Sequence, residues 1–219
     1  MRPWYRRILA LASLLLVVAC GDSGNGNARK ADGESETPFV LVAFGDSLTA
    51  GYGLPDEETF PAQLEAALKA RGHNVRVINA GVSGDTTASG LARLDWSVGP
   101  EAQAVIVALG ANDMLRGVPP AETRKNLDEI LTRLEARKLP VLLAGMRAIP
   151  GMGGIFGHEF DTIYKEMAKK HGVLFYPFFL NDVALRGALN QNDNMHPNAQ
   201  GVAVIVRNIL PDVEKLVRN

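Results

Sequence analysis

Five short apolar runs recur along this chain, and stretches with helical spacing lie between them. The runs are Phe39 to Phe44, Val75 to Ile78, Ala104 to Leu109, Val141 to Gly145 and Val173 to Tyr176. Each is too short for a buried helix, and each stops at or against Gly, Asn or Pro, which predicts strands. The third, Ala-Val-Ile-Val-Ala-Leu, is unbroken and β-branched, as expected of a strand covered on both faces. Roughly Thr59 to Ala70 puts Leu64, Ala67 and Leu68 on one helical face and stops at Gly72. Glu122 to Arg137 carries the stripe Leu127, Ile130, Leu131 and Leu134. Phe160 to Lys170 is helical, and Pro197 to Val217 is the last helix, with proline at a tolerated first-turn position. Met167 and Leu174 read as core residues. Strand alternating with helix predicts an α/β fold, a parallel sheet with helices on both faces.

Ligands of such sheets bind outside the carboxyl ends of the strands. The polar motifs of this chain fall there: Gly45-Asp46-Ser47, Asn79 to Asp85, and Gly110 to Asp113. Ser47 is a candidate nucleophile, which a neighbouring base would have to activate. Taken alone it reads equally well as a turn or helix N-cap residue. Gly84 can turn its backbone N–H toward a developing oxyanion, or simply serve a turn capped by Asp85 or Thr86. Asn112 can donate its carboxamide to the same oxyanion, or form an Asx-turn. Near the far end, Asp193-Asn194-Met195-His196-Pro197 precedes the last helix. Pro197 keeps His196 out of helical geometry, and Asp193 can reach back to orient the ring. An Asp-x-x-His pair means little by itself. Gly-Asp-Ser-Leu, however, arises by chance in about one chain in a thousand of this length, and here four motifs occur together.

With these stretches the chain resembles the SGNH hydrolases, the GDSL esterases and lipases, and within them the bacterial thioesterase I, lysophospholipase and arylesterase group. The matching segments are GDSLTAGYG at 45–53, NAGVSGDTT at 79–87, LGANDMLRG at 109–117 and DNMHPN at 193–198. The resemblance runs over residues 39–217. It implies a flavodoxin-like three-layer α/β/α sandwich with a mainly parallel five-stranded sheet. It implies Ser47 as nucleophile, Asp193 and His196 as its acid and base, and Ser47, Gly84 and Asn112 as the oxyanion hole. The substrate would be a small ester or thioester with an acyl chain: an aryl ester, an acyl-thioester or a lysophospholipid. No cofactor and no metal is expected, and the chain is expected to act as a monomer. Ala111 stands where close relatives often carry glycine, a change that leaves Asn112 in place.

The N-terminus reads as an address. Arg2, Arg6 and Arg7 precede an apolar run from Ile8 to Ala19 that is short for a bilayer span but suits a signal peptide. It ends at Cys20, the single cysteine of the chain. Small residues before a cysteine at that place resemble the bacterial lipobox, in which the cysteine is lipidated. An ordinary secretory signal with an incidental cysteine is the plainer alternative. The resulting expectation is a signal peptide over 1–19, lipidated Cys20 with a flexible linker over 20–38, and a hydrolase domain over 39–219. The linker is Gly, Ser, Asn and charge, a composition that buries too little to fold. The protein would sit in the bacterial cell envelope, on the periplasmic or outer face, held to a membrane by acyl chains on Cys20.

The formal net charge is −1 with both signs interspersed, so nucleic-acid binding has no electrostatic support. The four histidines are scattered. His73 and His171 lie beside helix-ending glycines, where a cation favours the helix dipole. The Gly-rich apolar segment Ile149 to Gly157 is either a wall for an acyl chain or a plain surface loop, and Leu115 and Val118 are similar candidates. Arg147 is either an anion contact or an exposed strand-end residue. Three rival functions remain at this point: a carbohydrate esterase with the same triad, a metal-dependent hydrolase using Asp46, Asp85, Asp113 and His196, and an inert surface lipoprotein.

Overall fold

The computed structural model describes residues 37–149 and 154–218, apart from the Ile155 side chain. The expected signal peptide, Cys20 and nearly all of the expected linker lie outside the described residues. Strands β1 (Phe39–Gly45), β2 (Val75–Gly81), β3 (Ala104–Ala108), β4 (Val141–Ala144) and β5 (Leu174–Tyr176) form one sheet in the order β2-β1-β3-β4-β5. Every pairing is parallel, so "mainly parallel" becomes wholly parallel. The helices are α1 (Ser47–Ala50), α2 (Phe60–Ala70), α3 (Thr87–Ser97), α4 (Ala111–Leu115), α5 (Pro120–Ala136), α6 (Gly154–His171) and α7 (Ala199–Val217). Helix α2 packs on α7, while α5 packs on both α3 and α6. The two groups sandwich the sheet in a three-layer α/β/α fold.

The central strands explain the strength of the apolar runs. Leu41 to Phe44 and Ala104 to Ala108 are all buried, because helices cover both of their faces. The α5 stripe of Leu127, Ile130, Leu131 and Leu134 is buried as its spacing requires. Met167 is buried, and Leu174 is half-buried against the core. At the sheet edge, β2 is blunted by a side chain: the Glu65 carboxylate of α2 accepts the Val77 N–H at 2.7 Å.

The larger departures from expectation are one unforeseen helix and two helix starts. Helix α3 had no signal strong enough to predict it. Helix α6 starts at Gly154, well upstream of Phe160, so the end of the Gly-rich segment is helix. Helix α7 starts at Ala199, because His196 and Pro197 stay in an extended turn and Asn198 caps the helix by accepting the Gly201 N–H at 3.0 Å.

The order 2-1-3-4-5 places the topological switch between β1 and β3. A crevice opens there above the strand ends, and Ser47 and Asn112 stand on its two sides.

Candidate active site

Strand β1 ends at Gly45 and the chain turns at once into α1. Asp46 caps that helix, its Oδ1 accepting the Leu48 N–H at 3.0 Å. Ser47 is the first helical residue, so its own N–H points out of the helix end. Among the described residues that N–H has no acceptor.

The partner of Ser47 comes from the far end of the chain. Residues 190–197 form a tight loop closed by an antiparallel bridge between Asn190 and Pro197 and by the Gln191 N–H donating to His196 O at 2.8 Å. Within it, Asp193 Oδ1 accepts the N–H groups of Met195 (2.9 Å) and His196 (3.0 Å). Its Oδ2 lies 2.6 Å from His196 Nδ1, and His196 Nε2 lies 2.9 Å from Ser47 Oγ. The His196 imidazole bond, helped by the two backbone N–H groups, holds the Asp193 carboxyl down at about 2. An ionised carboxylate only accepts, so Nδ1 is the protonated nitrogen. Nε2 is then free to accept the Ser47 hydroxyl proton. The Tyr52 ring lies against the imidazole, centroids 4.7 Å apart.

Across the crevice stand Gly84 and Asn112. Gly84 takes φ 85 in the turn after β2, a conformation that disfavours a side chain. Its carbonyl is held by Arg116 Nη2 at 2.7 Å, and among the described residues its N–H has no acceptor. Asn112 Nδ2 donates to Asp85 O at 2.9 Å and makes only a long 3.5 Å contact with Asp46 Oδ2. One carboxamide hydrogen thus fixes the side chain, and the other is weakly held. Two backbone N–H groups and one amide, all lining the same cavity, can meet a negative oxygen.

The acids of the motifs turn away from the crevice and brace it. Asp85 Oδ2 accepts from Arg93 Nε at 2.5 Å. The same guanidinium donates to Ala80 O, Ser97 Oγ and Gly45 O and lies over the Phe44 ring. It thereby ties the ends of β1 and β2 together. Asp113 takes the Thr87 N–H and hydroxyl, with Thr123 Oγ1 at 3.3 Å. Burial pushes the Asp46 carboxyl up to about 7, against the pull of the Leu48 N–H and with further upward push from Asp85 and Asp113. These acids and His196 do not converge: no group of three His, Cys, Asp or Glu among the described residues is placed to share a metal ion. The metal-dependent reading therefore has no geometric support among them.

The cavity beside Ser47 measures about 350 Å³. Leu48, Met114, Leu115, Leu180, Ala184 and Leu185 make its apolar side. Leu115 and Ile149 line it and Val118 does not. Residues 150–153 of the Gly-rich segment lie outside the described residues, and Phe156 faces inward, stacked on Phe160. His73 and His171 are engaged elsewhere, with Glu214 and with Asp128 and Glu135.

Sequence reasoning missed Gln191, Arg93, Arg116 and Tyr52. Gln191 Nε2 donates to Tyr52 O at 2.7 Å and Pro197 O at 3.0 Å, linking the nucleophile segment to the histidine loop. In sequence it is one amide in a polar run. Arg93 left a faint signal, as the one Lys or Arg between Arg76 and Arg116.

Residues 43–204 match the model of the GDSL-like Lipase/Acylhydrolase family. An arylesterase of Vibrio mimicus is 35% identical over 182 residues, 83% of this chain and 91% of that protein. The thioesterase 1/protease 1/lysophospholipase L1 of Escherichia coli K12 is 34% identical over 82% of this chain and 86% of its own. Among solved structures, AlinE4, a SGNH-hydrolase family esterase, superimposes with a TM-score of 0.70 at 50% identity, over 82% of this chain and 96% of that one. Family match, relatives and fold agree: the chain belongs to the GDSL-like lipase/acylhydrolase family and is a carboxylic ester hydrolase.

Proposed function

We propose that the chain hydrolyses esters and thioesters of acyl chains through a covalent acyl-enzyme on Ser47. The observation that carries this reading is the unbroken run Asp193–His196–Ser47, with separations of 2.6 and 2.9 Å, at the mouth of an apolar cavity. His196 Nε2 takes the hydroxyl proton as Ser47 Oγ bonds to the carbonyl carbon. The N–H groups of Ser47 and Gly84 and the amide of Asn112 receive the oxyanion. The imidazolium returns its proton to the leaving oxygen or sulfur as that bond breaks. Water, deprotonated by the same imidazole, then attacks the acyl-enzyme and frees the acid and Ser47.

The relatives' printed names span aryl esters, thioesters and lysophospholipids, and the apolar side of the cavity favours a hydrocarbon acyl group over a sugar. A fluorophosphonate probe should label the protein and fail to label Ser47→Ala. Persistent labelling of that variant would remove Ser47 from its role. An acyl-chain series run on matched oxygen and sulfur esters ranks the substrates.

Cys20 is the proposed lipid anchor, holding the domain to an envelope membrane through the linker. Metabolic labelling with an alkyne fatty acid should mark the full chain and not Cys20→Ala. Equal labelling of both would place the lipid elsewhere.

A further inference from the structure

Beyond the cavity at Ser47 lies a second one of about 330 Å³. The two share Ala111, Met114, Ile149, Leu180, Ala184 and Leu185 as walls, so they adjoin along the apolar side of the first, away from His196. The second is closed by Met146, Ala148 and Phe178, and among the described residues a single charged one lines it: Arg147.

Arg147 is exposed at the end of β4, as one of its two readings had it, and no ion pair uses its charge among the described residues. It follows β4, whose end is pinned to the next strand segment by the Gly145 N–H donating to Tyr176 O and the Phe179 N–H donating to Gly145 O, both at 2.8 Å. The following N–H, of Ala148, is anchored on Asp161 Oδ1 at 2.7 Å. The nearby acid thus fixes the backbone and not the guanidinium. The Arg147 guanidinium lies over the Phe178 ring, 5.2 Å from its centroid, which restrains its plane. Among the described residues no carboxylate stands within ion-pair distance of it. A restrained planar cation on an apolar wall is suited to bidentate capture of a carboxylate or phosphate.

We propose that this second compartment is a subsite for an anionic group carried by the ester substrate, with Arg147 as the residue that selects it. The inference rests on Ser47 being the nucleophile of an acyl-ester hydrolase. The shared chemistry is a carboxylate or phosphate on the ester of a hydrocarbon acyl chain. The anion belongs either to the far end of the acyl chain or to the leaving group, as in a lysophospholipid headgroup.

Two substrate pairs separate these sources, each run with wild type, Arg147→Gln and Arg147→Lys of the full chain. One pair is the p-nitrophenyl ester of decanoic acid and the p-nitrophenyl half-ester of decanedioic acid. The other is a monoacylglycerol and the lysophosphatidic acid of the same chain. Arg147→Gln should lower kcat/KM for an anionic member by roughly ten- to a hundredfold while leaving its neutral partner within about twofold. Arg147→Lys, which keeps the charge and loses the planar fork, should fall between. Loss confined to the half-ester puts the anion at the acyl end, and loss confined to lysophosphatidic acid puts it on the leaving group. Loss in both pairs makes the subsite indifferent to the source. Equal change in both members of each pair, or none in either, overturns the proposal. No turnover of the neutral decanoate by wild type would instead remove the esterase reading, and this inference with it.

Discussion

Gln191 reaches across the crevice to the backbone carbonyl of Tyr52, 2.7 Å away and 139 positions distant in sequence. Tyr52 is itself tied to Ser47, its N–H donating to Ser47 O at 3.1 Å. The same Gln191 amide holds Pro197 O. One side chain therefore sets the spacing between the hydroxyl and the imidazole. Gln191→Leu removes both bonds at similar size. Its kcat should fall roughly tenfold with little change in KM, since the reacting atoms drift while the acyl cavity stays intact. Steady-state kinetics on a short p-nitrophenyl ester measures this. A pure KM effect would show that Gln191 serves binding instead.

Asn112→Ala deletes one of the three donors proposed for the oxyanion. Turnover should drop at least a hundredfold, about 3 kcal/mol of transition-state stabilisation, while fluorophosphonate labelling of Ser47 persists at a reduced rate. Circular dichroism should be unchanged. Near-normal turnover would take Asn112 out of the oxyanion hole.

Asp46 and Asp193 act on stability with opposite sign. For Asp46 the folded value of about 7 lies above the ordinary 3.8. Between these values the unfolded chain releases its proton first, so stability falls as pH rises, by at most about 4 kcal/mol, and is level above the upper value. For Asp193 the folded value of about 2 lies below 3.8, so its contribution is complete above the upper value and is lost as pH falls through the lower. Asp46→Asn keeps an acceptor for the Leu48 N–H and cannot ionise. Calorimetry should find its Tm, relative to wild type, higher at pH 8 than at pH 4. A difference independent of pH would contradict the assignment to Asp46.

Arg93→Met leaves the buried Asp85 carboxylate without its cation and four acceptors with one donor group fewer. The expected loss is about 3 kcal/mol in urea unfolding. Adding Asp85→Asn should restore part of it, because the uncompensated charge is then gone. A loss under about 1 kcal/mol would mean that solvent reaches the pair.

The sheet was legible because central parallel strands must be apolar on both faces, as Leu41 to Phe44 and Ala104 to Ala108 are. Helix α3 was not legible. Gly90 interrupts its pattern, and it does so for a packing reason: a Cβ there would come within 2.5 Å of Leu109 Cδ1. Close approach to Leu109, just past β3, was exchanged for helical signal. Of the candidate site, Ser47, Gly84, Asn112, Asp193 and His196 all meet at one crevice, each marked by a local motif. The residues that hold them, Gln191, Arg93 and Arg116, each act in part through a contact far along the chain, 139, 48 and 32 positions away. Such contacts leave no periodicity and no spacing to read.

The carboxylate of Glu65 on the Val77 N–H has a consequence for how copies of this protein meet. A strand from a neighbour seeking to lengthen the sheet would need that N–H, and would have to strip it from a charged acceptor already seated 2.7 Å away. Displaced, the carboxylate would stand beside the incoming backbone carbonyls, repelling them. The sheet therefore ends at five strands by chemistry as well as by connectivity, and that edge resists the cross-chain templating from which β-aggregates grow.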